Sequence, residues 1–498
     1  MSAADDQPRS QLEPQSLIEP LLGSADATHE LLPLPSHPVP TPGWYTPHRL
    51  MAVFCSILFL AYLDMGCFAS NGVNGSLEPK TGIQGDFNLS YFADGVLPAA
   101  FMIGLMGTSA LLTSLTAQFN AFRLIGVGMA LWGLGAVACG LSQGFWTLLF
   151  SRMLVGSGEA SIITLSAPFI DDAAPAASKS RWFAFLSVFP SLGVAAGYFY
   201  GEAVSAQYGW RVPFFIEAAF AIPVVAFTLL ADPVELKGRK SSSPSGDPGN
   251  AEETEGKLAG GQEKQGDAEE TEGKLAGGQE KQGTWKVLRH DLSVLHRHPV
   301  FLLNAWGYVP IQACLGAFTY WGPKAAMQIF NRPKAVADTT IGALTICTSI
   351  IGTMGGGYLL DRMGSSLQNA MTLSAASAAL ALVACEAAFL LARSFVAFCA
   401  VLSIGLLGLF LATAPLYAVS MWAVPPEQRP SSQALLVITM HLCGDVPAPP
   451  LVGALQGVLL NWRYSTAILV AGLVLSIALY SIGIPKAKHA KDYRDASE

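Results

Sequence analysis

Long apolar blocks alternate with short polar breaks along most of the chain. Each block is close to the roughly 20 apolar residues that an α-helix needs to cross a bilayer. Glycine and proline recur inside the blocks, for example at Gly104, Gly107 and Pro190, as membrane-spanning helices tolerate. The pattern predicts twelve transmembrane helices, near residues 49–71, 91–113, 121–141, 145–169, 181–203, 211–231, 300–323, 339–361, 369–391, 394–419, 431–453 and 464–485.

Polar segments divide these blocks into two groups of six. We predict a disordered cytosolic tail at 1–48, an N-terminal six-helix half at 49–231 and a cytosolic linker at 232–298. A C-terminal six-helix half then follows at 299–485, and a second cytosolic tail at 486–498.

The linker contains an internal duplication. Residues 251–266 read AEETEGKLAGGQEKQG, and 268–283 repeat these 16 residues without change. Two copies that are nearly free of apolar side chains cannot bury a core, which favours a flexible linker over a repeat fold. The segment 284–298 differs, because Trp285 and three leucines recur near helical spacing among basic residues. We predict an amphipathic helix there, lying along the cytosolic face.

The composition excludes a soluble protein. Hydrophobic residues make up 51% of the 498 residues and charged residues 13%, against about 25% charged in an ordinary soluble domain. Of the 29 basic and 36 acidic residues, 30 lie in 1–48 and 232–298, which leaves too little charge elsewhere for a soluble surface. Eight scattered cysteines do not form a disulfide framework. The chain is therefore predicted to be an all-α integral membrane protein.

The distribution of lysine and arginine predicts the orientation. With both termini cytosolic, 21 of the 29 basic residues fall on the cytosolic side, and the bias persists at 11 to 7 without the linker. Glu13 is followed by Leu17-Ile18, which resembles a signal read by sorting adaptors for lysosomes or vacuoles. The alternative is a chance match in a disordered tail. A lysosomal, vacuolar or plasma membrane is expected.

Six spans, a cytosolic linker and six spans is the layout of the major facilitator superfamily, whose two halves enclose a central cavity. Charges inside the spans are costly, so they usually face a cavity or a partner. Such residues are the candidates for function; they are Asp64, Arg152, Glu159, Glu217, Glu386 and Asp445.

Asp64, Arg152 and Glu159 are the candidates for coupling. A carboxylate in a low-dielectric setting is costly to ionise and can exchange a proton near neutral pH, so Asp64 and Glu159 are predicted to carry protons. Arg152 and Glu159 are seven residues apart and share one helix face. Gly156 and Gly158 lie between them and allow close helix contact. The alternatives are a structural hydrogen bond for Asp64 and a fixed buried ion pair for Arg152.

Two further motifs lie in the second half. Asp361, Arg362 and Gly364 end the eighth predicted span and are expected to form a gate on the cytosolic side. His441 and Asp445 are one helical turn apart, within hydrogen-bonding reach, and are predicted to bind substrate. The prolines that follow Asp445 predict a broken or kinked helix. A metal site would need more ligands than these two.

These segments resemble the spinster family of the major facilitator superfamily, a family of lysolipid and sphingolipid carriers. The resemblance covers roughly residues 48–485, and its Asp-Arg-x-Gly gate is shared across the superfamily. The matching stretches are AYLDMGCFASNGVNG, RMLVGSGEAS, GWRVPFFIEA, GGGYLLDRMG, VPPEQRPSSQAL and HLCGDVPAPPLVGAL.

The resemblance implies proton-linked or gradient-driven export of amphipathic lipids, with Asp64 and Glu159 as protonation sites and Arg152 as their partner. Two departures stand out. Met65 replaces the arginine that follows the helix 1 aspartate in the family, so either the partner of Asp64 comes from elsewhere or Asp64 is neutral more of the time. Residues 115–120 replace the Asp-Arg pair of the first-half gate.

We predict a proton-coupled secondary active transporter with an amphipathic lipid bound between the halves, its headgroup near Arg152 and Glu159. The alternatives are a carrier of a small organic anion or sugar, and a transporter-like receptor or scaffold, which the degenerate gate permits. The sequence has no nucleophile triad, metal-ligand cluster or phosphate-binding glycine loop, so an enzyme is not predicted. The expected partners are the bilayer, protons and the substrate, without nucleic acid, metal or cofactor.

Overall fold

The computed structural model describes residues 42–116, 118–175, 179–234 and 297–493. Four predictions concern residues outside these ranges: most of the disordered tail at 1–48, the sorting signal at Glu13, Leu17 and Ile18, the duplication in the linker, and nearly all of the amphipathic segment 284–298.

Helices follow the apolar blocks closely in the first half. Two short helices, α2 (Asn71–Asn74) and α3 (Gly82–Asp86), connect the first long helix to the second. The long helices are α1 (Pro47–Ala69), α4 (Tyr91–Leu115), α5 (Ala121–Leu141), α6 (Phe145–Ala173), α7 (Lys179–Tyr208) and α8 (Val212–Leu230).

The second half also has six spans, but four of them are interrupted. Two contain π-helical turns, at Ala387–Leu391 and His441–Asp445, the second just before the prolines that predict a break. A 3₁₀ turn (Pro426–Gln428) precedes α14. The helices are α9 (Pro299–Phe330), α10 (Lys334–Arg362), α11 (Leu367–Glu386), α12 (Phe395–Leu411), α13 (Thr413–Trp422), α14 (Arg429–Met440), α15 (Ala448–Leu459), α16 (Trp462–Ala471) and α17 (Leu473–His489).

Within the described residues, 11 helical segments are long and apolar enough to cross a membrane. The remaining predicted span is α7, which has 30 residues but is not among the 11. The last helix reaches His489, four residues beyond the predicted boundary at 485.

Successive spans run in opposite directions, so the helix ends form two faces. The terminal face holds the first and last described residues, and there Trp44 Nε1 donates a hydrogen bond to the carbonyl oxygen of Asp232 at 2.9 Å. The distal face holds segments 70–90, 209–211 and 331–333. The two halves meet along α4 with α15 and along α7 with α10.

Glycine sets the closest approaches within the first half. A Cβ atom at Gly156 would clash with the carbonyl oxygen of Phe101, and one at Gly66 would clash with that of Val194. These contacts bring α6 against α4 and α1 against α7. Because Asp64 and Arg152 lie within one turn of these glycines, the same contacts fix the position of the charged side chains.

Candidate functional site

A buried ion pair lies in the core of the first half. Nη1 of Arg152 on α6 donates hydrogen bonds of 2.9 Å to both carboxylate oxygens of Asp64 on α1. Both side chains are nearly inaccessible to solvent. The partner that Asp64 lacks in its own helix is therefore supplied by α6, and the guanidinium group also lies 4.2 Å from the ring centroid of Phe68 and 5.1 Å from that of Phe101.

Glu159 lies two turns further along α6 and is fully buried. It is within electrostatic reach of both Asp64 and Arg152. Neither of its carboxylate oxygens has a hydrogen-bond partner among the described residues. Glu217 on α8 is equally buried and borders the same cluster. One guanidinium group therefore lies near three carboxyl groups, and among these three described side chains it forms hydrogen bonds with Asp64 only.

A cavity of about 250 Å³ lies between the two halves. Its wall from the first half is almost entirely apolar and includes Met65, Phe101 and Met102. Its wall from the second half carries polar groups, among them Gln312 and Thr319. The cavity thus offers an apolar surface opposite a polar one.

The polar wall centres on Asp445. Its Oδ2 atom accepts a hydrogen bond of 2.8 Å from Nε2 of Gln312 and lies 2.5 Å from Nδ1 of His441. The π-helical turn places both acid and imidazole at the cavity, as their predicted hydrogen bond requires. Gly316, one turn beyond Gln312 on α9, leaves room for the Asp445 carboxylate. Gln312 is a site residue that the sequence pattern did not single out.

A second chamber of about 500 Å³ continues toward the terminal face. It shares Tyr62, Gln312 and His441 with the first and adds Met354 and Tyr417. Met354 is 68% exposed and Tyr417 is 38% exposed. The central cavity is therefore accessible from the terminal face.

At the distal face, a buried polar network closes the cavity. We call it the distal closure; its members are Asn74, Gln84, Asp94, Tyr320 and Lys324. Nζ of Lys324 donates to Oε1 of Gln84 at 2.7 Å, to Oδ2 of Asp94 at 3.3 Å and to Oδ1 of Asn74. Lys324 and Tyr320 belong to the second half and the other three to the first, so the network joins the halves.

A second bridge lies beside the distal closure. The main-chain nitrogen of Asn71 donates a 2.9 Å hydrogen bond to Oδ2 of Asp338 on α10, and the Asn71 side-chain amide donates to Oδ1. Both residues are fully buried. The distal face is therefore held shut by charged and amide groups of both halves.

Tyr320 connects the closure to the cavity. Its hydroxyl donates to Oδ1 of Asp94 at 2.6 Å and accepts from Nδ2 of Asn74 at 2.7 Å. Its ring lines the cavity and stacks on Phe68 at a centroid distance of 5.9 Å. Because Phe68 also contacts the Arg152 guanidinium, side chains in direct contact connect the buried ion pair to the closure.

The predicted gate residues Asp361, Arg362 and Gly364 lie on the terminal face, away from the central cavity. Asp361 and Arg362 are exposed, and neither forms an ion pair with another described residue. Oδ1 of Asp361 accepts a 2.9 Å hydrogen bond from Ser365, while the Arg362 guanidinium lies 5.8 Å from the Tyr358 ring. Gly364 has a φ of 94°, which a glycine adopts without strain.

Two predicted residues do not reach the cavity lining. Arg152 and Glu159 are both buried, and Arg152 lies against the rings of Phe68 and Phe101, both of which line the cavity. A headgroup contact at Arg152 and Glu159 therefore stays a prediction. Glu386, another intramembrane candidate, ends α11 and is half-buried.

Comparison with known proteins places this geometry in a family. The model of the Major Facilitator Superfamily matches residues 54–446. A probable sphingolipid transporter of Arabidopsis thaliana, spinster homolog 1, is 39% identical over 457 residues, which cover 88% of this chain and 89% of that one. The chain belongs to the spinster branch of the Major Facilitator Superfamily. The predicted fold and family are confirmed.

More distant relatives agree. Spinster homolog 3 of Mus musculus is 26% identical over 467 residues, or 89% of this chain and 82% of that one. The crystal structure of a bacterial homolog of the human lysosomal transporter Spinster has a TM-score of 0.67 at 17% identity, covering 89% of this chain and 98% of that one. The family model and the Arabidopsis relatives make this spinster chain a multi-pass membrane transporter, a class of proteins that is not enzymatic, as predicted.

Proposed function

We propose that this spinster protein moves an amphipathic lysolipid or sphingolipid across a membrane by alternating access. The observation that carries the proposal is the division of the central cavity into an apolar wall from the first half and a polar wall from the second. An acyl or sphingoid chain fits the first wall, and a headgroup fits the second at Gln312, His441 and Asp445. The sphingolipid names of the Arabidopsis relatives support the same substrate class.

Alternating access requires two closures that exclude each other. In the structure the distal closure is intact and the cavity is open toward the terminal face. In the opposite state the Lys324–Asp94 contact breaks, and Asp361 and Arg362 find partners across the terminal face. The gate prediction from the sequence thus becomes a proposal for that second state.

Proton coupling is assigned to Glu159. Its carboxyl group is buried and lacks a hydrogen-bond partner among the described residues, and burying an unpaired carboxylate is costly. Asp64, by contrast, accepts hydrogen bonds from Arg152 at both of its carboxylate oxygens. Uptake of a proton by Glu159 and its release would change the balance of charge around the single guanidinium group, and the contact chain through Phe68 and Tyr320 leads from there to the distal closure.

The terminal face is assigned to the cytosol. Lysines and arginines are more frequent in the segments predicted on that side, as the positive-inside rule requires. The acidic dileucine-type signal at Glu13, Leu17 and Ile18 supports delivery by a sorting adaptor to a lysosomal or vacuolar membrane, with the plasma membrane as the alternative.

A flux panel tests the substrate class. The purified full chain in liposomes is given labelled lysophosphatidylcholine, sphingosine phosphate, a sugar and an organic anion. We expect flux of at least one lipid, and we expect Asp445→Asn to reduce it. Glu386→Gln is the matched control, because Glu386 is a half-buried carboxyl group away from the cavity, and this variant should leave the flux unchanged. Flux of only the sugar or the anion would replace the lipid proposal. Ligand-dependent stabilisation without any flux would favour a receptor.

A further inference from the structure

A basic groove lies on the terminal face, separate from the central cavity. It has a volume of about 540 Å³ and is formed by the start of α9, the end of α17 and the segment that follows α17. Its basic side chains belong to His298, Lys486, His489 and Lys491. None of the described residues that line it is acidic. Two of these four basic residues, Lys486 and Lys491, carry a full positive charge at neutral pH, at a place where membrane helices end.

The segment after α17 is fixed as one wall of this groove. The main-chain nitrogen of Tyr493 donates a 2.9 Å hydrogen bond to the carbonyl oxygen of Trp422. The carbonyl oxygen of Tyr493 in turn accepts a 2.8 Å hydrogen bond from Nη2 of Arg429. Nζ of Lys491 lies 4.9 Å from the Tyr493 ring centroid. The wall is thus preorganised by contacts with α13 and α14.

The floor of the groove is apolar. Val300 and Ala423 are buried beneath it, 2% and 4% exposed. The His298 imidazole packs edge-on against the Tyr493 ring at 6.1 Å between centroids. Lys486 and Lys491 are exposed at the rim. An apolar floor beneath a cationic rim suits a ligand that is itself apolar below and anionic above.

The helix dipole alone does not account for this arrangement. Cations in the last turn of a helix interact favourably with its C-terminal end. Lys486, Lys488 and His489 all lie in the last turn of α17, so the dipole favours a positive charge at all three. Only Lys486 and His489 line the groove. Lys488 therefore serves as a matched control.

We propose that this groove binds the phosphate-bearing headgroup of an anionic membrane lipid. The ammonium groups of Lys486 and Lys491 are strong donors to phosphate oxygens, while Val300 and Ala423 contact the glycerol and the first methylene groups. Basic pockets at the cytosolic ends of membrane helices favour such headgroups. On the orientation proposed above, the groove meets the cytosolic leaflet. A bound lipid would tie the ends of α9 and α17 to the connection between α13 and α14.

The test measures binding of dioctanoyl phosphatidylinositol phosphate to the purified full chain in detergent, from the concentration dependence of its thermal stabilisation. The double variant Lys486→Gln/Lys491→Gln is expected to weaken the apparent affinity roughly 30-fold, since each lysine near an anionic headgroup contributes about fivefold. Lys488→Gln is expected to bind like the unsubstituted chain. Lys486→Arg/Lys491→Arg keeps both charges and is expected to retain binding.

Two probes distinguish the source of the phosphate. Dioctanoyl phosphatidylcholine has no net negative charge, and the soluble inositol phosphate headgroup has no chains; both are expected to stabilise the chain less than the anionic lipid. Equal affinity for the soluble headgroup would contradict a lipid ligand. An equal loss of lipid affinity in Lys488→Gln and in the double variant would mean that the lipid is attracted by charge in general, and it would contradict a specific binding site. Melting temperatures without lipid establish that each variant is folded.

Discussion

Nη1 of Arg152 donates hydrogen bonds of 2.9 Å to both carboxylate oxygens of Asp64. The Arg152 side chain is 2% exposed and that of Asp64 is 0% exposed. The two residues are 88 positions apart in sequence. Removing one member of a buried pair leaves an uncompensated charge, whereas replacing both with apolar groups does not. Single and double substitutions of this pair therefore distinguish its contribution to protein stability from its contribution to transport.

Arg152→Met should destabilise the protein strongly, by about 3–5 kcal/mol, because it leaves the Asp64 carboxylate buried without its cation. The double variant Asp64→Leu/Arg152→Met should recover most of that loss while transporting no substrate. Thermal unfolding and lipid flux on the same preparations measure the two effects. Arg211→Met is the control. Arg211 and its partner Asp86 are 39% and 47% exposed, so this variant should lose less than about 1 kcal/mol of stability. A double variant less stable than Arg152→Met would contradict this account.

Lys324→Met should loosen the distal face. It leaves the carboxylate of Asp94 and the side-chain carbonyls of Asn74 and Gln84 buried without their shared donor. The main-chain amide of Asn71, which is bonded to Asp338 of the other half, reports separation of the halves. Its hydrogen exchange should rise roughly a hundredfold or more, as expected for loss of a buried ion pair.

Arg332→Met is the matched control for this closure. Arg332 lies on the same face, but its guanidinium group lies over the Phe395 ring of its own half, 5.3 Å from the centroid, and it is not part of the distal closure. We expect its exchange at Asn71 to match that of the unsubstituted chain. Equal acceleration in both variants would mean that the closure does not depend on Lys324.

Gln312→Leu should reduce lipid flux with little change in helix packing. The variant keeps the side-chain volume but removes the amide that donates to Asp445 at 2.8 Å. Asp445 is then held by His441 alone, and the polar wall of the cavity is less well ordered. Losing one donor to a buried carboxylate costs about 1.5–3 kcal/mol, so the apparent substrate affinity should fall by roughly tenfold or more. Unchanged flux and affinity would remove Gln312 from the site.

The contact of Asp86 with Trp210 and Arg211, in the connection that leads into α8, predicts a pH dependence on the distal face. Burial opposes ionisation of Asp86, but 2.8 Å hydrogen bonds from Trp210 and Arg211 and the guanidinium charge outweigh it and lower the pKa of Asp86. The stabilisation is therefore complete above the usual aspartate pKa of about 3.9 and is lost as the pH falls through the lowered value. The melting temperature of Asp86→Asn should lie slightly below that of the unsubstituted chain at neutral pH and converge with it in acid. A gap that widens on acidification would have the wrong sign.

The spans were predictable from the sequence because the bilayer demands about 20 apolar residues whatever the fold around them. Their ends were not. The seventh span was predicted to end at 323, but α9 continues to Phe330 and carries Lys324 into the buried closure. Asp338 similarly lies one residue before the predicted start at 339. Helices that extend past the bilayer core gain their contacts from the opposite half, and periodicity carries no information about which ends meet.

The candidate site likewise contains residues that the sequence indicates and residues that only the structure reveals. Asp64, Arg152 and Glu159 could be found because charge in an apolar block is rare, and His441 and Asp445 because one helical turn separates them. Gln312 carries no charge and repeats no motif, so only the packing of α9 against the π-helical turn reveals it. Asp94 also lies inside a predicted span, so the rule that selects Asp64 applies to it equally, and its part in the distal closure follows from the structure.

The central claim is that a proton gradient drives lipid through the cavity by way of Glu159. The most direct measurement is the flux of labelled lysolipid or sphingolipid in proteoliposomes, with and without a pH gradient, for the unsubstituted chain and for Glu159→Gln. Glutamine matches glutamate in size but cannot exchange a proton. The account predicts gradient-driven flux in the unsubstituted chain, and flux indifferent to the gradient in Glu159→Gln. The same gradient dependence in both would contradict it.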